Sequence, residues 1–406
     1  MTLPLEGVTV LDLTQVVSGA VSTMLMADFG ATVIKVEPPG GEPYRKFGTP
    51  IRGEKGETNF NFLRWSRGKH SVVIDLKTEE GREVLWSLID QSDVLVENFK
   101  AGTFESLGFS AARLRERNPR LVYSTVSGFG HGDLMKSVGS ELPVYAIIAE
   151  AMAGITYLAA DGDDQPVWLG FAMADILSGV LAFTGTLLAL RQRDQSADHP
   201  LRVDIAMHDS SLFMNDQAML RYSLTEQVEP PGRKYSLQSP WGFYPAADGH
   251  FAIAVMTPAQ WRGVCSVIGR ADLADRADLQ SGTDRSKLHD EVIEPAIHAW
   301  AKTRSKHEAV ALLAQANVPC APVNHAGDVF NSPEAQSRDM LVTVEDTHVG
   351  AFRQIGNPIK LAGVERQETP RIRSLGEDTR EILTRVLGME ADRITALQSA
   401  GVVGGR

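Results

Sequence analysis

The sequence predicts an α/β protein with a parallel sheet, followed by a smaller α+β domain. Two observations lead to this prediction. Up to Val126, short β-branched runs alternate with helical segments, which is the pattern of βαβ units and a parallel sheet. From about Ser223 the sequence pattern changes: a connector rich in proline and glycine, 229–233, leads into polar helices and short strands. Such a connector is typical of a domain boundary.

Each expected element of the first domain has its own signal. Residues 8–13 and 32–36 are short β-branched runs that predict strands, and the segment 18–29 between them is long enough for a helix. The same alternation continues through strands at 72–76, 94–96 and 121–126 and a helix at 79–88. Ligands bind at the carboxyl ends of parallel strands. We therefore expect the site in the loops at 14–18, 37–40, 77, 97–100 and 127–130.

The remaining elements divide the rest of the chain. The connector leads to 241–245 and to the Asp248–Gly249 turn, which precedes an expected strand at 251–255, and polar helices follow as far as Ala316. After Pro333, short strands return at 342–344 and 350–354, and an amphipathic helix at 379–387 closes the pattern. The expected divisions are a first domain at 1–222, a small domain at 223–331 and a final segment at 332–406.

Composition and charge exclude several classes of protein. With 406 residues, 43% hydrophobic and 22% charged, the chain is typical of a globular protein with one large core and a second, smaller one. A net charge of −11 argues against nucleic-acid binding. Two cysteines, Cys265 and Cys320, have no metal-ligand spacing and fit a reducing cytoplasm. The N-terminus lacks the pattern of a secretion signal.

Asp175 is the only charge in the apolar run 171–190. The run approaches membrane-spanning length, but polar residues interrupt it and no second segment resembles it, so we interpret it as a buried helix of a protein that does not enter a membrane. An ionised carboxylate is costly there unless partners or helix-end amides hold it. Asp175 is therefore a candidate reactive group, and the alternative is that it only caps the helix.

The other charged features have ordinary interpretations. The loop TQVVSGA after the first strand has one glycine instead of the G-x-G-x-x-G that a dinucleotide needs. Glu37 therefore represents a solvated strand end and not a ribose-binding acid. The basic residues Arg64, Arg67, Lys69 and His70 add local positive charge for an anion, although such a run more often forms a solvated face.

A series of short runs extends over nearly the whole chain. In the first half they are PLEGVTVLDLTQVVSGAVSTMLMADFGATVIKVEPPGGE, GKHSVVIDLKTEEGREVL, DVLVENFKAG, SGFG, the helix of Asp175, and VDIAMHDS. In the second half they are DGHFAIAV, NVPCAPVN, IGNPIKLAG and LGEDTREIL. In this order and spacing they resemble the class III CoA-transferases, the CaiB/BaiF family. Each run alone is weak, but the series is specific.

This resemblance implies a fold, an assembly and a chemistry. The fold is a Rossmann-like large domain, which the final segment rejoins, with the small domain between, and two chains form an interlocked homodimer. The substrates are an acyl-CoA and a carboxylic acid, with no metal. Asp175 matches the catalytic aspartate, which forms an acyl anhydride and then an aspartyl-CoA thioester. The matched coenzyme A contacts are Gln15, Val16, Val17, Ser18, Ile74, Lys77, Asn98, Phe99, Tyr145 and Met207.

The chain departs from the family pattern at four places. Pro38 stands where many members have an arginine, and Ala101 of NFKAG where they have a proline, so we expect the phosphate contacts to be redistributed. Val17 stands where members that use oxalate have a glutamine, and 237–244 has no GGG loop. These last two departures disfavour formyl-CoA:oxalate exchange.

Two alternative functions stay open at this stage. A 2-methylacyl-CoA racemase of the same superfamily needs two opposed acid–base groups, but neither 139–141 nor Tyr145–Ala146 supplies the histidine that this branch uses. His131 lies nearby, and we interpret it as a loop histidine. The second alternative is a CoA-binding protein without catalysis. The presence of Asp175 argues against it.

Overall fold

The protein is described by a computed structural model that covers residues 3–132, 134–135, 137–140, 142–160, 165–196, 201–228, 237–364 and 369–404. The chain forms two compact units. The larger comprises Met1–Ile155, Gly170–Glu226 and Gln336–Arg406, and the smaller comprises Thr156–Leu169 and Gln227–Ala335. The sequence placed the divisions at 222/223 and 331/332, and it did not assign 156–169 to the smaller unit.

The large unit contains a parallel sheet, as the sequence predicts. In the described residues it has six strands in the order β5-β2-β1-β6-β7-β8. Every neighbouring pair in this sheet is parallel. The strands of the described chain are β1 (Thr9–Asp12), β2 (Thr32–Glu37), β3 (Pro50–Gly53), β4 (Gly56–Asn59), β5 (Lys69–Val73), β6 (Val94–Glu97), β7 (Val122–Ser127), β8 (Arg202–Ala206), β9 (Trp241–Ala246), β10 (Gly249–Ala254), β11 (Cys320–Pro322), β12 (Leu341–Asp346), β13 (Gly350–Ile355) and β14 (Arg371–Ile372).

Helices connect these strands and cover them. Within the described residues they are α1 (Ser18–Asp28), α2 (Phe60–Leu63), α3 (Glu79–Asp90), α4 (Thr103–Ser106), α5 (Ala111–Arg117), α6 (Ala146–Met152), α7 (Ile155–Leu158), α8 (Met173–Gln195), α9 (Met207–Phe213), α10 (Asp216–Thr225), α11 (Pro258–Val267), α12 (Ala271–Ala274), α13 (Gly282–Lys287), α14 (Glu294–Ala301), α15 (Lys306–Gln315), α16 (Ala326–Phe330), α17 (Pro333–Ser337), α18 (Thr379–Leu387) and α19 (Ala391–Ser399). Short 3₁₀ turns occur at Pro43–Arg45 and Ala277–Leu279, and a π turn at His289–Ile293.

Side chains of the central strands alternate between two apolar layers. Leu11 and Ile34 belong to one buried cluster, whereas Val10 and Val33 belong to the other. The first layer is completed by residues of α3, α18 and α19, and the second by residues of α1 and α8. A parallel sheet that is covered on both faces is the usual arrangement in α/β proteins.

Two features of the sheet differ from the expected elements. Strand β5 spans Lys69–Val73, three residues before the predicted 72–76, because the side chain of Lys69 is buried against Asp12 and the chain turns at Asp75 to enter α3. Strand β8 was not expected at all. It extends the sheet beside β7, and its half-buried, polar sequence RVDIA gives little hydrophobic signal.

The small sheets are mainly antiparallel. In the smaller unit, β10 pairs with β9 and β11, and Tyr244, Phe251 and Trp261 are buried in its core. In the larger unit, β3 and β4 form a hairpin, and β12 pairs with β13 in antiparallel and with β14 in parallel fashion.

Helix α8 is the one described helix that is long and apolar enough to cross a membrane by length and composition. In the structure it packs against α1, α9, β7 and β8. These contacts bury 44% of its most apolar stretch, so the structure matches the buried helix that the sequence predicts only in part.

Candidate active site

Asp175 lies in the first turn of α8. Gly170 precedes this turn with a φ of 80°, a conformation that glycine adopts without strain. In the described residues the Asp175 carboxylate makes no hydrogen bond, and no side chain of the N-cap residue Ala172 caps the helix. Asp175 is therefore not a capping residue in this structure, which leaves its partly buried carboxylate available for chemistry.

The pKa of Asp175 is raised to about 7. Burial contributes most, because it penalises the charged carboxylate, and the negative charge of Glu150 acts in the same direction. The Arg64 guanidinium opposes both. At neutral pH a substantial fraction of Asp175 is therefore ionised, and that fraction is poorly hydrated. This combination suits a carboxylate nucleophile.

Glu150 is a site residue that the sequence reasoning missed. Its side chain is buried, with 2% of its surface exposed, and its Oε1 accepts a hydrogen bond of 3.0 Å from the backbone amide of Ala174. Glu150 is the only charge in the apolar segment 146–153, AIIAEAMA. The same reasoning that singled out Asp175 would have identified it.

Asn98 holds the loop that follows β1. Its Oδ1 accepts a hydrogen bond of 2.7 Å from the Gln15 amide, and its Nδ2 donates to the Gln15 carbonyl oxygen at 2.8 Å and to the Ser18 Oγ at 3.0 Å. Three of the sequence-predicted residues are thus brought together at the carboxyl edge of β1 and β6. Parallel α/β sheets bind ligands at this edge.

Val16 has a φ of 65° in this loop. A β-branched residue rarely adopts positive φ, and such strain clusters at functional sites. The Val16 amide donates a hydrogen bond of 3.2 Å to Glu42 Oε2. Glu42, which is also buried and was missed in the sequence, therefore helps to hold the strained conformation.

Buried charges lie beneath the loop. Lys69 Nζ is 2.9 Å from Asp12 Oδ2, and Lys35 Nζ donates to the Thr14 carbonyl oxygen at 2.8 Å. Burial works against ionisation of Asp12, but Lys69 and Lys35 outweigh it and hold the pKa of Asp12 below its ordinary value. These lysines therefore support the loop from within the protein.

The sequence suggested that the basic run 64–70 forms a solvated face, but two of its side chains are buried. Besides Lys69, the side chain of Arg67 is fully buried in a two-point ion pair with Asp28, with bonds of 3.0 and 2.7 Å. Glu37 is likewise no solvated strand end, because Arg45 binds both of its oxygens at 2.6 and 2.7 Å. Their partners are distant in sequence or lie in a turn, so the local pattern could not reveal them.

Gly179 brings α8 into direct contact with the start of α1. A Cβ at Gly179 would lie 2.6 Å from the Cβ of Val21 and would also collide with the Ser18 carbonyl oxygen. Asp175 is four residues before Gly179 and therefore lies on the same face of α8. This geometry orients that face of α8, with Asp175, toward the loop that Asn98 holds.

The other predicted coenzyme A contacts differ in burial: some side chains are exposed, and others lie in the core. Phe99 donates its amide to Glu97 Oε2 at 2.7 Å, next to Asn98, and Lys77 is exposed after β5. Tyr145 is 75% exposed at the start of α6. The side chains of Ile74 and Met207 are instead buried in the cores of the large unit. These two side chains belong to the core and are not open to a ligand.

His131 lies in the loop after β7, but it is buried and paired instead of solvated. Its Nδ1 is 3.1 Å from Asp204 Oδ1, and its Nε2 is 3.8 Å from Glu97 Oε1. Burial opposes the charged form, but the bond to Asp204 and the charge of Glu97 outweigh this and raise the pKa of His131. Glu141, the other residue considered for acid–base chemistry, lies outside the described residues.

A metal site is conceivable only in the smaller unit among the described residues. There His289, Asp290 and Glu294 each offer one ligand atom, and these atoms lie within 4.8 Å of one another. The sequence-based expectation of a reaction without a metal stays a prediction.

Known proteins resemble this chain over its length. The profile of CoA-transferase family III matches residues 5–379. A succinyl-CoA:mesaconate CoA-transferase of Haloarcula hispanica is 35% identical over 387 residues, 93% of this chain and 95% of that protein. A formyl-CoA:oxalate CoA-transferase of Streptomyces avermitilis is 30% identical over 422 residues, 99% of this chain and 100% of that protein.

The fold also matches a solved structure. The crystal structure of a CaiB/BaiF family protein from Brucella suis superposes with a TM-score of 0.84 at 27% identity, over 95% of this chain and 100% of that chain. The resemblance stated from the sequence is thereby confirmed, and the chain belongs to CoA-transferase family III.

Proposed function

We propose that this chain transfers coenzyme A between carboxylic acids through covalent catalysis at Asp175. The observation that carries the proposal is the position of Asp175. Its carboxylate makes no hydrogen bond to the described residues, and it lies in the first turn of α8, on the helix face that meets the start of α1 at Ser18. Membership of the family supports the reaction class.

The proposed reaction needs no proton. An Asp175 oxygen attacks the thioester carbonyl carbon, the C–S bond breaks, and coenzyme A leaves as the thiolate. The thiolate then attacks the Asp175 carbonyl carbon of the anhydride, which gives the aspartyl-CoA thioester and releases the donor acid as its carboxylate. The acceptor carboxylate attacks the carbonyl carbon of this thioester, the C–S bond breaks, and a second anhydride forms between Asp175 and the acceptor as the thiolate leaves. The thiolate then attacks the acceptor carbonyl carbon of that anhydride, which forms the new acyl-CoA and releases Asp175 as its carboxylate.

The proposed coenzyme A site follows the strand ends. The loop 15–18 and the pair Asn98–Phe99 form its centre, because they are held together at one edge of the sheet. Lys77 offers an exposed charge for a phosphate. Tyr145 and the backbone at Ile74 and Met207 complete the set that the family resemblance suggests.

Only the names of the relatives indicate which carboxylic acids this chain uses as substrates. The succinyl-CoA:mesaconate and formyl-CoA:oxalate enzymes are named for reactions with dicarboxylic acids, so we propose a dicarboxylic acid as acceptor and test it first. Val17 and the 237–244 segment disfavour the formyl-CoA:oxalate pair. A panel of acyl-CoA donors and acids, with products measured by mass spectrometry, identifies the pair.

We also propose that two chains form an interlocked homodimer that works in the cytoplasm. Helices α9 and α10 expose several large apolar side chains, among them Phe213 at 76%, Leu220 at 62% and Leu224 at 75%. Large apolar side chains exposed on two consecutive helices favour an interface there. The two cysteines are free, which fits a reducing compartment.

The test of the catalytic proposal is a covalent adduct. Incubation with an acyl-CoA should leave coenzyme A on the peptide that contains Asp175, and hydroxylamine should remove it. Asp175→Asn should lose essentially all transfer and still bind coenzyme A in calorimetry. Undiminished turnover in that variant would exclude Asp175 as the nucleophile.

A further inference from the structure

Glu150 contacts the helix that carries the proposed nucleophile. Helices α6 and α8 pack together through small side chains, among them Ala146, Ala149 and Ala174, which are buried in one cluster. Small side chains let the two helices approach closely, so that Glu150 reaches the first turn of α8. Its Oε1 accepts the amide hydrogen of Ala174, the residue before Asp175.

This hydrogen bond replaces the side-chain N-cap that the start of α8 lacks. The first amides of a helix have no partner inside the helix, and a side chain at the N-cap usually accepts from one of them. Here the N-cap residue is Ala172, which cannot do so. Glu150 accepts from the first turn instead, and in the described residues this is its only hydrogen bond.

Glu150 is also a second buried negative charge beside Asp175. Among the described residues, the titratable groups that interact electrostatically with Asp175 are Glu150 from α6, Arg64 just after α2 and Tyr44 from the 3₁₀ turn Pro43–Arg45. Glu150 disfavours the ionised form of Asp175, and Arg64 favours it. A more basic carboxylate is a stronger nucleophile once it is ionised.

We propose that Glu150 is a positioning residue for the reaction: it fixes the first turn of α8 and increases the reactivity of the Asp175 carboxylate through its charge. The inference rests on the proposed function of Asp175. When Asp175 forms the anhydride, its negative charge passes to the departing thiolate, so the repulsion from Glu150 is relieved as the reaction proceeds. An interaction that destabilises the ground state more than the transition state accelerates anhydride formation.

Glu150→Gln separates the charge from the hydrogen bond. The amide oxygen of glutamine can still accept from Ala174, but the negative charge is lost. The measurement is the single-turnover rate of adduct formation on Asp175 as a function of pH, by rapid quench and mass spectrometry. We expect the acidic limb to move to lower pH and the plateau rate to fall about tenfold. Glu83→Gln, an exposed acid on α3, is the control and should match the wild type.

The outcomes separate this inference from the catalytic proposal. No adduct on Asp175 in the wild type would overturn the proposed function itself. An adduct with an unchanged pH profile and rate in E150Q would overturn only the role of Glu150. If E150Q does not fold, Glu150→Met offers a second variant without charge that suits the apolar interface, and the same shift is expected. Failure of both variants to fold would assign Glu150 a purely structural role.

Discussion

Gly179 of α8 packs on Ser18, the first residue of α1, so closely that any side chain at position 179 would collide with the Ser18 carbonyl oxygen. The contact joins two parts of the site that are far apart in sequence. Ser18 belongs to the loop that Asn98 holds, and Asp175 lies one helical turn before Gly179. The close approach of α8 to the 15–18 loop, and with it the position of the proposed nucleophile, therefore depends on the absence of a Cβ at Gly179.

This relationship predicts the effect of Gly179→Ala. The added methyl group must push α8 away from α1, which costs about 1 to 3 kcal/mol of unfolding free energy and moves Asp175 from its position. We expect a lower midpoint of thermal unfolding and a loss of transfer of roughly 100-fold, since small misplacements of reacting groups are this costly. Thr184→Ala, on an exposed part of the same helix, is the control. Normal activity in Gly179→Ala would show that transfer does not depend on this contact.

The raised pKa of Asp175 predicts how stability depends on pH. A carboxyl group whose pKa rises on folding, here from 3.8 to about 7, binds its proton more tightly in the folded state. The folded protein therefore loses stability as the pH rises between these two values. Asp175→Asn removes this effect, so it should raise the thermal midpoint more at pH 8 than at pH 4. Equal differences at the two pH values would show that the Asp175 pKa is not perturbed.

The sequence predicted which residues lie at the carboxyl edge of the sheet, but it did not predict the buried ion pairs near that edge. Gln15, Ser18 and Asn98 were expected at strand ends, and parallel strands bring such ends together by topology alone. The pairing of Arg67 with Asp28 depends on a partner 39 positions earlier. Local patterns of polarity contain no information on such a contact, so an isolated basic run resembles a solvated face. The sequence analysis missed Glu150 because its apolar segment is short, although Glu150 is the only charge in that segment, as Asp175 is in its own.

The proposed homodimer predicts a concentration-independent assembly. Interlocked chains cannot separate without unfolding, so dilution should produce no folded monomer. Analytical ultracentrifugation across a wide concentration range measures this directly. A monomer with native circular dichroism would contradict interlocking. Phe213→Asp should then show whether the exposed face of α9 contributes, since a charge in an apolar interface should lower the yield of folded dimer.

The last prediction is that the protein is a transferase and not a racemase. A racemase removes an α-proton on one face of the acyl chain and returns one on the other, which requires two opposed acid–base groups. His131 is the described histidine nearest to the expected position in sequence, but it is buried, and Asp204 and Glu97 flank its two ring nitrogens.

Only 3% of the surface of this histidine is exposed, and it lies beside two carboxylates in the protein interior, so its ring is not open to a substrate. We therefore expect coenzyme A to move between acids while little deuterium enters the α-position of a 2-methylacyl-CoA in heavy water. The measurement is mass spectrometry of the acyl-CoA after incubation without an acceptor acid. His131→Gln should leave this low exchange unchanged. Rapid exchange in the wild type that is lost in His131→Gln would instead assign the acid–base role to this buried network.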